Sequence, residues 1–306
     1  MATIRVPDEV PSPAQDSETL NQAFRGWGTD EKAIIRVLGK RNGSQRKRIR
    51  ESYREIYGKD LIDVLTSELS GDFMKAVVLW TYDPAERDAR LANNVLNGKK
   101  KSIEKLKIIV EISCTTSPNH LIAVRKAYCS LFDLSLEEHI ASSVPFPLAK
   151  VLVTLATSFR YDKDMADTEV ATIEAGMLRE AITAKQLDHD HVLYILGTRS
   201  IYQLRETFDV DGCPGDADLK SLLQMVILCI EFPEKHFAKV VRDSIEGFGT
   251  DEDSLTRGIV TRAEVDLMKA RGEYYNMYNT SMDNAIIGDV SGDYKDFLLT
   301  LLGSNI

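Results

Sequence analysis

A hexapeptide of this chain occurs twice at a fixed distance. Gly26-Trp27-Gly28-Thr29-Asp30-Glu31 returns as Gly247-Phe248-Gly249-Thr250-Asp251-Glu252, 221 positions on, without insertion or deletion. Counting 42 residues from the first glycine of each copy reaches Glu68 in Glu68-Leu69-Ser70-Gly71-Asp72 and Asp289 in Asp289-Val290-Ser291-Gly292-Asp293. A glycine-rich loop and a distant carboxylate have been kept in register, so the chain is built from repeats. That organisation decides the fold before any local propensity does.

The same offset pairs Ile34 with Leu255, Leu38 with Ile259, Arg41 with Arg262, Tyr53 with Tyr274, Leu65 with Ile286 and Phe73 with Tyr294. Ile34, Ile35 and Leu38 form one apolar stripe at helical spacing, and Leu61, Ile62 and Leu65 form another, so each copy reads as short amphipathic helices joined by tight turns. Weaker echoes fill the interval. An offset of 75 pairs Ile34, Tyr53, Tyr57 and Leu61 with Ile109, Tyr128, Phe132 and Leu136. An offset of 158 pairs Leu38-Gly39-Lys40-Arg41 with Leu196-Gly197-Thr198-Arg199, while Asp211 stands where the aromatic is expected.

Four repeats follow. A short N-terminal segment (1–13) precedes repeat 1 (14–83), repeat 2 (84–157), a polar connector (158–168), repeat 3 (169–242) and repeat 4 (243–306). Repeat 3 is altered around Gly212-Cys213-Pro214-Gly215.

Glycines let a loop turn its carbonyl oxygens inward, and a carboxylate from elsewhere adds charge and bidentate coordination. That donor set suits a hard cation, and calcium, with six to eight oxygens in loose geometry, is the natural occupant. No EF-hand-like acidic run is present. The alternative is a plain turn before a helix, with Thr29 and Thr250 as N-caps and the following acids near the helix dipole. Duplication with the acid at a preserved distance favours the cation site. In repeat 2 the loop becomes Lys101-Ser102-Ile103-Glu104 and Ser143 stands at the acid position. In repeat 3 the loop becomes Ala184-Lys185-Gln186-Leu187 and Val226 falls at the acid. Two sites are expected, in repeats 1 and 4.

The paired Gly-x-Gly-Thr loops with an acid 42 residues on resemble the type II calcium sites of annexins, and the likeness covers nearly the whole chain. Intact outer and degenerate middle repeats make it similar to plant annexins. The resemblance implies an all-α fold of four repeats, each of about five short helices, arranged as a curved disc. It also implies backbone carbonyls of Phe24, Gly26 and Gly28 with the carboxylate of Glu68 at the first site, and Ile245, Gly247 and Gly249 with Asp289 at the fourth. Water and a phosphoryl oxygen of an anionic lipid complete the shell. The implied function is calcium-dependent, reversible binding to anionic phospholipid membranes by a cytoplasmic protein, with self-association on the membrane permitted. Calcium-permeable transport and a peroxidase or nucleotidase activity are alternatives proposed for plant annexins.

Trp27 and Phe248 occupy the loop tips, where an amphipathic ring suits the headgroup region, unless it folds back on the core. Arg25 precedes the first loop as a basic membrane contact, whereas Glu246 precedes the second, so the first site should engage anionic lipid better. Cys114 and Cys229 match positions where plant annexins are suspected of carrying a redox-sensitive sulfur pair. Buried, unreactive thiols are the plainer reading of all four cysteines, Cys129 and Cys213 included, in a reducing compartment.

The formal charge of −9 argues against nucleic-acid binding and against lipid binding by net field alone, which makes a bridging divalent ion necessary. Arg46, Lys47, Arg48 and Arg50, and Lys99 to Lys101, are the local basic clusters. No apolar run reaches the roughly 18 to 20 residues of a spanning helix, and Met1 to Ser17 lacks a signal peptide's apolar core.

No catalytic residue is assigned. The histidine invoked for peroxidase activity is replaced by Lys40, Asp289-Val290-Ser291-Gly292 matches a common Asp-x-x-Gly pattern, and neither a phosphate-cradling Gly-rich loop nor a nucleophile elbow occurs. Asp188-His189-Asp190-His191 reads as an acidic helix start, because adjacent helical positions do not face one way.

Overall fold

The computed structural model describes residues 1–26, 28–99, 102–161, 164–184, 186, 188–209, 217–247 and 249–304. Among them are nineteen helices and no strand. The first copy contributes α1 (Pro13–Ala23), α2 (Glu31–Leu38), α3 (Gly43–Tyr57), α4 (Leu61–Glu68) and α5 (Gly71–Thr81). The second follows with α6 (Pro84–Asn97), α7 (Ile103–Cys114), α8 (Pro118–Phe132), α9 (Leu136–Ser143) and α10 (Leu148–Thr157). The third has α11 (Thr168–Thr183), α12 (Asp190–Thr198), α13 (Ile201–Asp209) and α14 (Ala217–Glu231), and the fourth α15 (Pro233–Ile245), α16 (Glu252–Val260), α17 (Leu267–Tyr278), α18 (Met282–Asp289) and α19 (Gly292–Leu301).

Local chemistry sets these boundaries. Ser12 and Gln15, Asn42 and Gln45, and Ser135 and Glu138 form reciprocal capping boxes that satisfy orphan amides at the starts of α1, α3 and α9. The chain leaves α3, α8 and α17 through a left-handed residue at one repeat position, filled by Gly58, Asp133 and Asn279 with φ of 66°, 53° and 56°. These are residue types that tolerate that region. The predicted apolar positions are interior: Ile34, Leu38, Leu61 and Leu65 are fully buried, and Tyr53, Tyr128 and Tyr274 are buried at equivalent places.

The copies pair 1 with 4 and 2 with 3. One compact unit comprises Met1–Arg87 with Glu234–Ile306, the other Asp88–Pro233. In the first unit α5 packs on α16 and α19, and α19 on α2, around a shared core that includes Trp80, Phe237 and Phe297. The N-terminal segment is tied to the fourth copy: Thr3 donates its hydroxyl to the Leu301 carbonyl at 2.6 Å and its amide to Ala263 at 2.8 Å. In the second unit α7 packs against α14 and α10, and α10 against α9 and α12.

Two expectations are corrected. The boundary at 243 falls inside α15, the counterpart of α1, so the fourth copy opens ten residues earlier, at Pro233. Val226 is not at a helix junction: it is fully buried within α14, because the third copy is shorter than the constant offset assumes, and the counterpart of the α4–α5 junction lies outside the described residues. Of the basic cluster on α3, Lys47 and Arg48 are exposed, Arg46 is buried and Arg50 pairs with Glu86 at 3.0 Å. Lys100 and Lys101 of the second cluster, and Cys213, lie outside the described residues.

Candidate functional site

Helix α1 ends at Ala23, and Phe24 caps it in right-handed geometry, its ring half-buried edge-to-face on Tyr53 at 6.4 Å. The backbone then turns through Gly26 at φ 120° and Gly28 at φ 88°. The Asp30 amide closes the loop by donating to the Ala23 carbonyl at 2.9 Å. The fourth copy repeats every step: Ile245 half-buried against the core, Gly247 at φ 125°, Gly249 at φ 90°, and Asp251 donating to Ser244 at 2.8 Å. A Cβ added at any of these four glycines would meet open space, so glycine is required by backbone conformation and not by crowding.

The caps are Asp30 and Asp251, not the threonines. Asp30 accepts from the Ala33 amide at 2.9 Å and Asp251 from Ser254 at 3.1 Å. This releases Thr29 and Thr250 to reach the acid-bearing helix ends. Thr29 donates to the Glu68 carbonyl at 3.3 Å, and Thr250 to the Asp289 carboxylate at 2.6 Å. Loop and acid, 39 positions apart from threonine to acid, are therefore neighbours in both copies. Gly71 and Gly292, at φ 60° and 65°, start the next helix just past each acid. Glu68 and Asp289 are both exposed.

Both acids open on one cleft of about 460 Å³ within the first unit, lined also by Glu31, Asp72, Glu252 and Asp293. Lys75 is a cation near this cleft, 3.1 Å from Asp72 and from Asp253. Six carboxylates around one opening make a field that concentrates cations. This common cleft is not readable from the spacing, which says nothing of which copies are neighbours.

The residues present fit a calcium ion. The glycine loops free backbone carbonyls that helix α1 or α15 does not use, and each loop adjoins one exposed carboxylate. Arg25 is exposed beside the first loop. Glu246, beside the second, is partly neutralised by Arg242 at 2.7 Å, and this hydrogen bond holds its carboxyl below the usual range. Trp27 and Phe248 lie outside the described residues.

The second copy has no such loop among its described residues: Ser102 starts α7 directly, and Ser143 closes α9 where Glu68 closes α4. Cys114 and Cys229 are buried thiols on the packed helices α7 and α14, whereas Cys129 is exposed. Burial pushes the Cys114 thiol up to about 11, against a smaller opposing pull from Arg160, which favours the protonated thiol at neutral pH. His189 caps α12 by accepting from the His191 amide at 3.2 Å, and Asp190 takes Lys150 at 3.2 Å, so this cluster serves a helix start. No helix among the described residues is long and apolar enough to cross a membrane.

Comparison with known proteins gives the same architecture. The annexin family model matches residues 15–80 and 236–301, the two intact copies. The chain is 81% identical over 321 aligned residues to Annexin D3 of Arabidopsis thaliana, covering 100% of both. The chain belongs to the annexin family. Annexins bind membrane phospholipids in a calcium-dependent way. The structure of annexin III superposes on this annexin with a TM-score of 0.91 at 30% identity, covering 100% of this chain and 98% of that one. The calcium-bound structure of annexin (Sm)1 gives 0.84 at 25% identity, covering 99% and 93%.

Proposed function

We propose that this annexin attaches reversibly to anionic phospholipid membranes through two type II calcium sites, one in the first repeat and one in the fourth. Phe24, Gly26 and Gly28 would supply carbonyls and Glu68 the carboxylate of the first site; Ile245, Gly247, Gly249 and Asp289 would do so in the fourth. The observation that carries this reading is that the loop threonine bridges to the acid-bearing helix end in both copies, Thr29 to the Glu68 backbone carbonyl and Thr250 to the Asp289 carboxylate, which brings each loop beside its acid. Calcium supplies the positive charge that an acidic protein lacks, and its spare coordination positions accept lipid phosphoryl oxygens. Binding without lipid is accordingly weak. Recruitment runs from the cytoplasm to the membrane face, and the protein acts by binding and not by catalysis: the aspartate of Asp289-Val290-Ser291-Gly292 is accounted for by the fourth site.

Co-sedimentation with phosphatidylserine-containing vesicles tests this. Wild type should pellet with calcium and stay in solution with chelator, and Glu68→Gln with Asp289→Asn should abolish pelleting. Of the single variants, Glu68→Gln should lose more, because Arg25 assists the first site while Glu246 opposes the fourth. Pelleting of the double variant at wild-type calcium would reject the assignment.

A further inference from the structure

A second cavity, of about 260 Å³, opens in the unit of residues 88–233, among the end of α7, the first turn of α8, the connector after α10 and the first turn of α13. The repeat explains why it is there. At the offset of 75 that aligns α3 with α8, Leu38 corresponds to Ser113 and Arg41 to Thr116. In the first copy Leu38 is fully buried and Arg41 forms a buried bidentate pair with Asp16, at 2.7 and 2.8 Å. The counterpart of Asp16 is Asp88, since Asn21 and Asn93 accept from the equivalent tyrosines Tyr53 and Tyr128, and Asp88 is buried and takes His120 at 2.8 Å instead, so the second copy has lost the arginine of that pair. Two large side chains have become small hydroxyl residues, and both line the cavity.

Into this space the connector brings Arg160, whose side chain is 5% exposed. Its Nη1 donates to the Arg199 carbonyl at 2.8 Å. Its Nε and Nη2 are buried without a partner, as is the Ser113 hydroxyl. Arg205 lines the same wall, held by Nε on the Ile230 carbonyl at 2.8 Å. Burial pushes the Arg160 guanidinium below its ordinary range, and no carboxylate offsets that effect. A buried guanidinium with a free two-nitrogen edge is costly unless something acidic completes it. The first turns of α8 and α13 add partial positive charge at the same opening. In a chain of net charge −9 this is a local inversion of sign.

We infer that this cavity is a calcium-independent site for a phosphate oxyanion, either free phosphate, a small phosphomonoester or a lipid phosphoryl group. The Nε and Nη2 edge of Arg160 would receive two oxygens side-on, with the Ser113 hydroxyl and the Arg205 guanidinium taking the others. Leu121 and Ile201 form an apolar wall for a short substituent on the ester.

The test is calorimetric titration of the full chain with inorganic phosphate, then glycerol 3-phosphate, in chelator at ionic strength matched with sodium chloride. Saturable binding is expected, accompanied by a rise in melting temperature with ligand concentration. Ser113→Ala and Arg205→Gln should each weaken it by about tenfold, the loss of one charge-assisted or buried hydrogen bond. Arg160→Gln should abolish it; should that variant fold poorly, the other two decide. Glu68→Gln with Asp289→Asn should bind phosphate normally, which separates this site from the calcium sites. Vesicles containing phosphatidic acid, also in chelator, distinguish the sources: pelleting that Arg205→Gln loses assigns a lipid phosphoryl group, and binding of soluble esters alone assigns a free ligand. Phosphate heats indistinguishable from chloride, or Ser113→Ala and Arg205→Gln binding as wild type, would overturn the inference.

Discussion

At the scale of single residues the loop Gly-x-Gly-Thr-Asp divides its labour. The glycines hold positive φ, the threonine ties the loop to the acid, and the aspartate caps the helix. Function and stability should therefore separate by mutation. Gly28→Ala with Gly249→Ala adds methyls into open space but imposes about 1 to 3 kcal/mol of local backbone strain, which the exposed loops relieve by changing conformation. The calcium concentration for half-maximal vesicle binding should rise steeply while the melting temperature barely moves. Asp30→Ala with Asp251→Ala removes two caps at about 1 kcal/mol each, so it should lower the melting temperature while leaving binding at saturating calcium. The reverse ranking in a paired calcium titration and thermal melt would refute this division. The glycines, the distant acids and their common period were legible in the sequence. The capping residue was not, because threonine and aspartate both cap well and a one-residue difference in helix start cannot be read from composition.

At the scale of helices the repeat was legible wherever the chain kept its length. The offsets of 221 and 75 carry α2, α4 and α5 onto α16, α18 and α19, and α3 and α4 onto α8 and α9, because caps, left-handed exits and buried tyrosines recur at the same positions. The third copy was misaligned at Val226, since a shortened repeat breaks any constant offset. One departure between otherwise matched helices has a structural cause. Helix α17 begins at Leu267, three residues later than α3 would predict. Glu264, at the position of Gly43, accepts instead from the Gly43 amide at 2.6 Å and from Arg46 at 2.8 Å. Arg46 is fully buried, 3.5 Å from the centre of the Trp80 ring, and burial drops its guanidinium to about 10 despite the opposing pull of Glu264. Glu264→Gln would leave that cation without its charged partner. It should cost about 3 kcal/mol, by analogy with broken buried pairs, read as a shift in the urea midpoint. A shift below about 1 kcal/mol, the usual worth of a surface pair, would mean that Trp80 and the Arg41 carbonyl alone satisfy Arg46.

At the scale of the whole molecule, sequence adjacency does not decide which copies share a core: the second and third do, but so do the first and last, which lie furthest apart in the chain. The first and fourth copies form one unit, and their two acids open on one cleft. The matching of these copies hinted at a common function, but burial patterns name the faces a helix hides and not the helix that hides them. Charge sets a further condition. Calcium at both proposed sites would bring −9 to −5, so the protein would remain acidic when loaded. The proposed attachment to an anionic surface would then rest on local coordination of lipid oxygens and not on diffuse attraction. Diffuse attraction weakens as added salt shortens the screening length, from about 10 Å at 0.1 M to about 3 Å at 1 M, while inner-sphere coordination is far less sensitive. Vesicle binding at saturating calcium should accordingly survive a rise in sodium chloride from about 0.05 M to 0.5 M with less than a severalfold change in affinity, and chelator should release the protein at every salt concentration. A protein held by basic residues would lose affinity by orders of magnitude over the same range. Release by salt with calcium still present would assign attachment to Arg25 and its basic neighbours, and leave the two loops as a means of sensing calcium and not of holding the membrane.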